Sequence, residues 1–489
     1  MQLYNPVILE IIVVTTGFVV LLAEAFSPKV DRRTIAATAL FGLALALIAT
    51  FLVDPGAIQR SGGSLAQFYS ADFLAIYFKQ FSIVATMLTI ILSLEYSSVL
   101  ERGIPGSRPG AGVAEFLTIP IFACAGLMWM VSAVDFIMIF VSLELVTISF
   151  YVLVPYTRLK DRSLEAGVKY LILGALSTGF LVYGITWIFG VTQTTSLVAI
   201  TELRSYLTTD ARLPLLFGVG LVLVSIGFKV AAFPFQFWIP DVYQGAPTPV
   251  TAFLSVGSKA AGFVVLLRVL EPFLAIQGVG PKLIGLLVVT ASATLLFGNL
   301  AALLQNNVKR LMAYSSVAHA GYLLVGVASV GAAVSGQAIG FYLTGYLLMT
   351  FLAFFVLVLV SKASGGEEID KFNGLGKRSP FLAFAMMLAM VSLAGMPFTV
   401  GFFGKFLIFT AAVEEGQWLL VIFGAITVAC GFYYYLKVVR AMYWQSAPDD
   451  APAIEVPVYV RFTMVILMAL IITLGIFPQS LLTLLSASK

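Results

Sequence analysis

Long apolar runs recur along the whole chain, and polar residues gather in the short stretches between them. A bilayer-crossing helix needs about 20 mainly apolar residues, and the runs predict about fourteen of them. They lie at 7–26, 34–53, 73–95, 114–132, 135–156, 164–189, 213–234, 249–270, 283–303, 309–331, 337–361, 381–400, 417–443 and 459–480. The expected fold is all-α and polytopic.

Two predicted spans contain breakers. The seventh runs into FKVAAFPFQFWIPDVYQGAPTP, with Pro234 and Pro240, and the twelfth into LAGMPFTVGFFGKF, with Pro397 among Gly395, Gly401 and Gly404. Proline removes a backbone donor and clashes with the preceding turn. In lipid the freed groups must be met by protein or water, and matching broken helices in two halves point to a transport site. The breaks fall in spans seven and twelve, so two inverted five-helix repeats are expected. The predicted division is 1–113 for three N-terminal helices, 114–272 for the first repeat, 273–445 for the second and 446–489 for a last helix.

Composition agrees. Sixty per cent of residues are hydrophobic, 11% are charged and the mean hydropathy is +1.02, whereas soluble domains carry about 25% charged residues. The start, MQLYNPVILE, has no basic leader and carries Glu10, so it is expected to belong to the first span and not to a cleaved signal. Cys124 and Cys430 stand alone, without disulfide or metal spacing. The net charge of +4 is spread over loops and implies no nucleic-acid partner.

Lys29, Arg32, Arg33, Arg102, Arg108, Arg158, Lys160, Arg162, Lys362, Lys371, Lys377 and Arg378 occupy odd-numbered loops, with Lys309 and Arg310 on the same side. Even-numbered loops hold Arg60, Arg204, Arg212 and Lys282. Positive residues stay in the cytoplasm, so both termini are expected outside. The segments 54–72 and 190–212 are expected to be solvated, and 96–113 and 362–380 to be surface loops.

Charges inside spans are the candidate chemistry, since each costs roughly 2.5–3.5 kcal/mol at the bilayer centre. Glu144 lies mid-span, with Thr147 and Tyr151 on its helical face. Lys229 lies one turn before the Pro234 break. Lys259 lies in TAFLSVGSKAAGF beside Ser255 and Ser258, where Gly257 and Gly262 allow close approach. A buried lysine near a movable carboxylate can bind and release a proton; a permanent ion pair is the plainer alternative. Lys405 follows the second break and could instead snorkel. Lys169 forms an i, i+4 pair with Glu165, which is equally consistent with surface pairing. His319, the only histidine, follows Ser315 and Ser316 and is either a proton relay or a packing residue. Lys79, Lys437 and Arg440 are expected to snorkel, the last two within a Tyr433–Tyr435 and Trp444 belt. No nucleotide, flavin, haem or iron–sulfur motif is present in the sequence.

FPFQFWIPDVYQGAPTPVTAFLSVGSKAAGF, NLAALLQNNVKRLMAYSSVAHAGY and SLAGMPFTVGFFGKF closely resemble the antiporter-like proton-pumping membrane subunits of respiratory complex I, over about residues 115–445. LEAGVKYLILGALSTGFLVYG and the lysine after the twelfth-span break are most similar to the family's N-type branch. The resemblance implies that Glu144 and Lys229 match the family's glutamate–lysine pair, Lys259 its central lysine, Lys405 its exit-side group and Lys169 the lysine of span six. His319 falls where members carry histidine or glutamine. It further implies proton translocation coupled to quinone reduction elsewhere in the complex. NADH, flavin, iron–sulfur clusters and quinone belong to partner subunits, and none to this chain. The implied neighbours are antiporter-like M-type and small K/J-type membrane subunits in a plasma membrane. A subunit of a multi-subunit Na⁺/H⁺ antiporter, or a scaffold of the same fold that does not pump, are the alternatives.

Overall fold

The structure is a computed structural model that describes residues 5–26, 31–61, 63–105, 112–203, 208–447 and 452–486. Lys29, Arg108 and Arg204, counted in the charge bias, lie outside the described residues. Among the described residues, 13 helices are long and apolar enough to cross a membrane. The remaining predicted span, the twelfth, is discontinuous, a pair of 15-residue helices separated by a break. At 1.5 Å per residue each half reaches only about 22 Å, short of a bilayer's roughly 30 Å core.

The chain divides into two compact units. The first, Met1–Val230 with Gly245–Leu286, contains α1 (Ile8–Phe26), α2 (Arg32–Thr50), α3 (Phe73–Glu101), α4 (Val113–Ser132), α5 (Phe136–Leu153), α6 (Asp161–Thr192), α7 (Arg212–Val230) and α8 (Thr248–Leu274). Short acidic caps start two of these helices: Asp72 accepts from the Ala75 amide at 2.7 Å and Asp135 from the Ile137 amide at 2.8 Å. α8 is almost wholly buried, whereas α6 exposes most of its surface. α6 and α7 pack through glycine. A Cβ on Gly184 would lie 2.7 Å from the Gly218 carbonyl oxygen, so the backbones touch directly.

The second unit, Ala231–Gln244 with Leu287–Ala487, contains most of α9 (Gly280–Leu303), then α10 (Val308–Ala328), α11 (Ser335–Ser364), α12 (Pro380–Ala394), α13 (Val400–Glu414), α14 (Trp418–Trp444) and α15 (Val458–Ile476). α10 and α11 are its buried centre. Both breaks occur where proline dictates, and their loose backbone is met by protein. The Phe233 amide, beside Pro234, donates to Thr294 Oγ1 at 2.9 Å. Around Pro397, Gly395 takes φ +92° to close the end of α12, and Thr399 Oγ1 donates to the Met396 carbonyl at 2.6 Å.

Three segments expected to be solvated or loop-like are folded. Residues 54–72 contain the helix Ala57–Ser61, and bury Ile58, Tyr69 and Ala71. Segment 190–212 contains Leu197–Leu203, with Leu197 and Ile200 buried. Segment 362–380 contains Ile369–Phe372 and Leu375–Arg378, with Phe372 and Leu375 buried. Polar composition marked them as outside the hydrocarbon, but a few apolar side chains in each find a tertiary surface to cover.

Gly401 marks the tightest point of the second break, because a Cβ there would lie 1.8 Å from the Ser392 carbonyl oxygen. Gly401→Ala is expected to destabilise the chain by at least about 1–3 kcal/mol. Thermal unfolding of the purified protein measures this, and an unchanged midpoint would contradict the observed approach of α13 to α12.

Candidate functional site: buried lysines and their partners

The first unit gathers Glu144 and Thr147 on α5, Thr178 on α6, Lys229 on α7 and Lys259 on α8. Glu144 is half-buried and accepts from Thr178 Oγ1 at 2.6 Å. Lys229 is buried, and its Nζ donates to Thr147 Oγ1 at 2.5 Å, with the Tyr170 ring centroid 6.0 Å away. Glu144 and Thr147 are three residues apart on one helical face. The ammonium therefore meets α5 at the Thr147 hydroxyl, one turn from Glu144, whose carboxylate is held by the Thr178 hydroxyl of α6.

Lys259 follows a π-helical turn, Leu254–Ser258, inside α8 and is buried. Such wide turns interrupt regular backbone pairing and occur often at functional sites. Gly262, one turn on, brings α8 against α7: a Cβ there would lie 3.0 Å from Val230 Cγ1 and 3.6 Å from Lys229 Cβ. The two lysines thus sit on helices in direct contact. Lys169 does not join them. It pairs with Glu165 at 2.6 Å on the outer face of α6, with 40% of its side chain exposed.

The second unit gathers His319 on α10, Lys405 on α13 and a set of tyrosines. His319 Nδ1 lies 2.7 Å from the Tyr342 hydroxyl and Nε2 3.0 Å from the Tyr435 hydroxyl, so both ring nitrogens are engaged. Tyr435 also bonds Ser315, and the rings of Tyr322 and Tyr346 flank the imidazole. Lys405 does not snorkel. Its buried Nζ donates to the Leu393 and Ala394 carbonyls at 2.9 and 2.8 Å, the bare C-terminal end of α12. A cation at a helix C-terminus is favoured by the aligned peptide dipoles. The ammonium also faces the Tyr322 ring, 4.9 Å from its centroid.

Two expectations are corrected. Tyr434 and Tyr435 are buried and face the interior, and of the three tyrosines only Tyr433 is exposed, as is Trp444. Helical rotation alone separates them. Lys79 does not snorkel either. It is fully buried and paired with Glu10 at 2.7 Å, because a carboxylate two helices away in sequence lies within its reach. The partners Thr178, Tyr342 and Tyr435 carried no local signal beyond being polar atoms in apolar runs. Lys309, noted only for orientation, is buried and bonds Glu367 at 3.2 Å.

Interrupted spans beside buried ammonium groups define an antiporter-like multi-pass membrane protein. A family model described as NADH:quinone oxidoreductase/Mrp antiporter, transmembrane, matches residues 133–431. NADH-quinone oxidoreductase subunit N from Trichlorobacter lovleyi is 40% identical over 483 residues, 98% of this chain and 95% of that protein. A chain of respiratory complex I from Thermus thermophilus, solved with bound aureothin, is 31% identical with a TM-score of 0.79, covering 97% of this chain and 98% of that one. A chain of the Mrp complex from Dietzia sp. shares the fold, with a TM-score of 0.80 at 20% identity. The chain belongs to the NADH:quinone oxidoreductase/Mrp antiporter transmembrane family, among the subunit N proteins.

Thr147→Val removes the hydroxyl that receives Lys229 without changing side-chain shape. It is expected to destabilise the fold by about 1.5–3 kcal/mol, the value of a hydrogen bond to a charged group, while Thr147→Ser stays near wild type. Equal melting of the Val and Ser variants would show that Lys229 does not depend on this hydroxyl.

Proposed function

We propose that this chain is the proton-translocating membrane subunit N of an NADH:quinone oxidoreductase, with all redox chemistry in partner subunits. One observation carries the reading from chemistry to mechanism: each unit holds a buried lysine at irregular helical backbone, Lys259 at a π-turn and Lys405 on a severed helix end. The Lys405 ammonium is held by neutral carbonyls, so a neighbouring charge can tip it between its two protonation states.

In this mechanism a change in the Glu144–Lys229 pairing alters the field at Lys259. The threonine contacts leave both groups free of a locked ion pair and so able to change partner. The proton on Lys259 is driven towards Lys405, with His319, both of whose nitrogens are engaged by tyrosine hydroxyls, as the relay. Lys405 is the exit-side group. Lys169 takes part at the outer face of α6, where a neighbouring membrane subunit would bury it. Moving one charge against 100 mV costs about 2.3 kcal/mol, so the driving energy comes from quinone reduction in the assembly.

The chain works in a plasma membrane with both termini outside, its two repeats (114–272 and 273–445) inverted. Its neighbours are M-type and small K/J-type subunits, while NADH, flavin, iron–sulfur clusters and quinone are held by other members. The Mrp antiporter reading rests on the shared family and fold and predicts purification without redox subunits; native mass spectrometry of the intact assembly distinguishes the two.

Lys259→Ala is expected to leave assembly intact and abolish most coupled proton pumping. Lys259→Arg is expected to fail equally, because guanidinium stays protonated. Pumping at the wild-type rate by assembled Lys259→Arg would refute proton release at this residue. For orientation, with Cys124 and Cys430 replaced, Gly366→Cys is expected to react with impermeant thiol reagents only from the cytoplasmic side of sealed vesicles. Labelling from outside would invert the topology.

A further inference from the structure

Lys79 has no place in the path just described. It lies on α3, before either repeat, and its side chain is 0% exposed, with Glu10 at 1%. Its Nζ stands 2.7 Å from Glu10 Oε1 and donates to the Tyr69 hydroxyl. That hydroxyl donates in turn to Glu10 Oε1 at 3.1 Å. The ammonium also lies 4.5 Å from the Tyr69 ring centroid. Three titratable groups from α1, α3 and the segment before α3 therefore close one hydrogen-bonded triangle, away from solvent.

Packing does not call for this triangle. Removing two ions from water costs several kcal/mol each, and apolar replacement of a buried ion pair is often neutral or stabilising. The surroundings would suit apolar side chains, since Leu9, Val13, Phe78 and Ile83 are all buried on the same two helices. What the charged arrangement provides is a route for a proton. Tyr69 accepts from the ammonium and donates to the carboxylate. If Lys79 N–H passes its proton to the phenol oxygen while the phenol O–H passes its own to Glu10, one N–H and one O–H bond break and two O–H bonds form. The ion pair becomes a neutral amine and a neutral acid, with no co-reactant.

A second pair ties this triangle to the helix of Lys259. Asp72, which caps α3 two turns before Lys79, accepts from Arg268 at 2.8 Å. Arg268 also donates from Nε to the Val131 carbonyl at 3.0 Å. Burial opposes ionisation of Asp72, but the Arg268 guanidinium and the Ala75 and Ser70 hydrogen bonds outweigh it and hold the carboxyl below the ordinary range. Arg268 is on α8, nine residues and so about 14 Å along from Lys259. Asp72 and Lys79 are seven residues apart on α3, about 10 Å. The Asp72–Arg268 pair thus anchors α3 to α8, placing the triangle and Lys259 in one low-dielectric frame where charges act over longer distances than in water.

We propose that Glu10, Tyr69 and Lys79 form a further proton-transfer site of this subunit, an ammonium–phenol–carboxylate relay that passes a proton from Lys79 to Glu10 and back during translocation. The proposal rests on the proton-translocating function above and extends it to the N-terminal helices.

The test uses the whole complex in proteoliposomes, with assembly measured by native mass spectrometry and with quinone reduction and proton uptake followed together. Lys79→Arg keeps the ion pair but cannot deprotonate. Tyr69→Phe keeps shape and charge but removes the relay hydroxyl. Both are expected to assemble fully and to lose pumping by roughly 100-fold, the size of a typical proton-transfer contribution. Wild-type pumping by either assembled variant would overturn the relay and leave a structural ion pair. If the larger Arg prevents assembly, Tyr69→Phe decides alone. Lys259→Ala in the same assay separates the two levels. Normal pumping there defeats the translocator function, whereas a Lys259→Ala defect beside normal Tyr69→Phe pumping defeats only the triangle.

Discussion

An ammonium group taken out of water must find polar atoms at once, and that requirement organises both units of this protein. The structure meets it in three ways. Lys229 finds a threonine hydroxyl, Lys405 finds the open carbonyls of a severed helix, and Lys79 finds a carboxylate and a phenol. The three partners differ in charge: a full carboxylate at Lys79, the partial charge of a helix end at Lys405 and a neutral hydroxyl at Lys229.

The broken helix does two jobs that a continuous one could not. Ending α12 at Ala394 exposes carbonyls that a regular helix would spend on its own ladder. Restarting at Val400 returns the chain so that Lys405 reaches back to those same carbonyls. Gly395, with φ +92°, makes the turn, and the nearest atoms to a Cβ there would belong to Lys405 itself. Chain reversal and lysine binding are therefore one structural event.

His319 shows a different principle. Both of its nitrogens are held by tyrosine hydroxyls, each of which can donate or accept. The ring can exchange which nitrogen carries the proton without losing a hydrogen bond, provided the hydroxyls rotate with it. Ser315 bonds the outer side of Tyr435, so the string of exchangeable protons continues past the imidazole.

Much of this was legible from residue order. Apolar run length settled the helical membrane class, because the bilayer admits few other solutions. Pro234 and Pro397 located both breaks, since a missing amide donor acts locally whatever surrounds it. Glu144, Lys229, Lys259 and Lys405 stood out because a charge in an apolar run is costly wherever the chain goes. Partners were another matter. That Lys229 meets Thr147, that Tyr435 turns inward while Tyr433 does not, and that Lys79 meets Glu10 instead of reaching for the surface all depend on which helices become neighbours. Hydropathy along one span records how much a residue resists lipid, not which other span will shield it, and only the packed tertiary structure supplies that second coordinate.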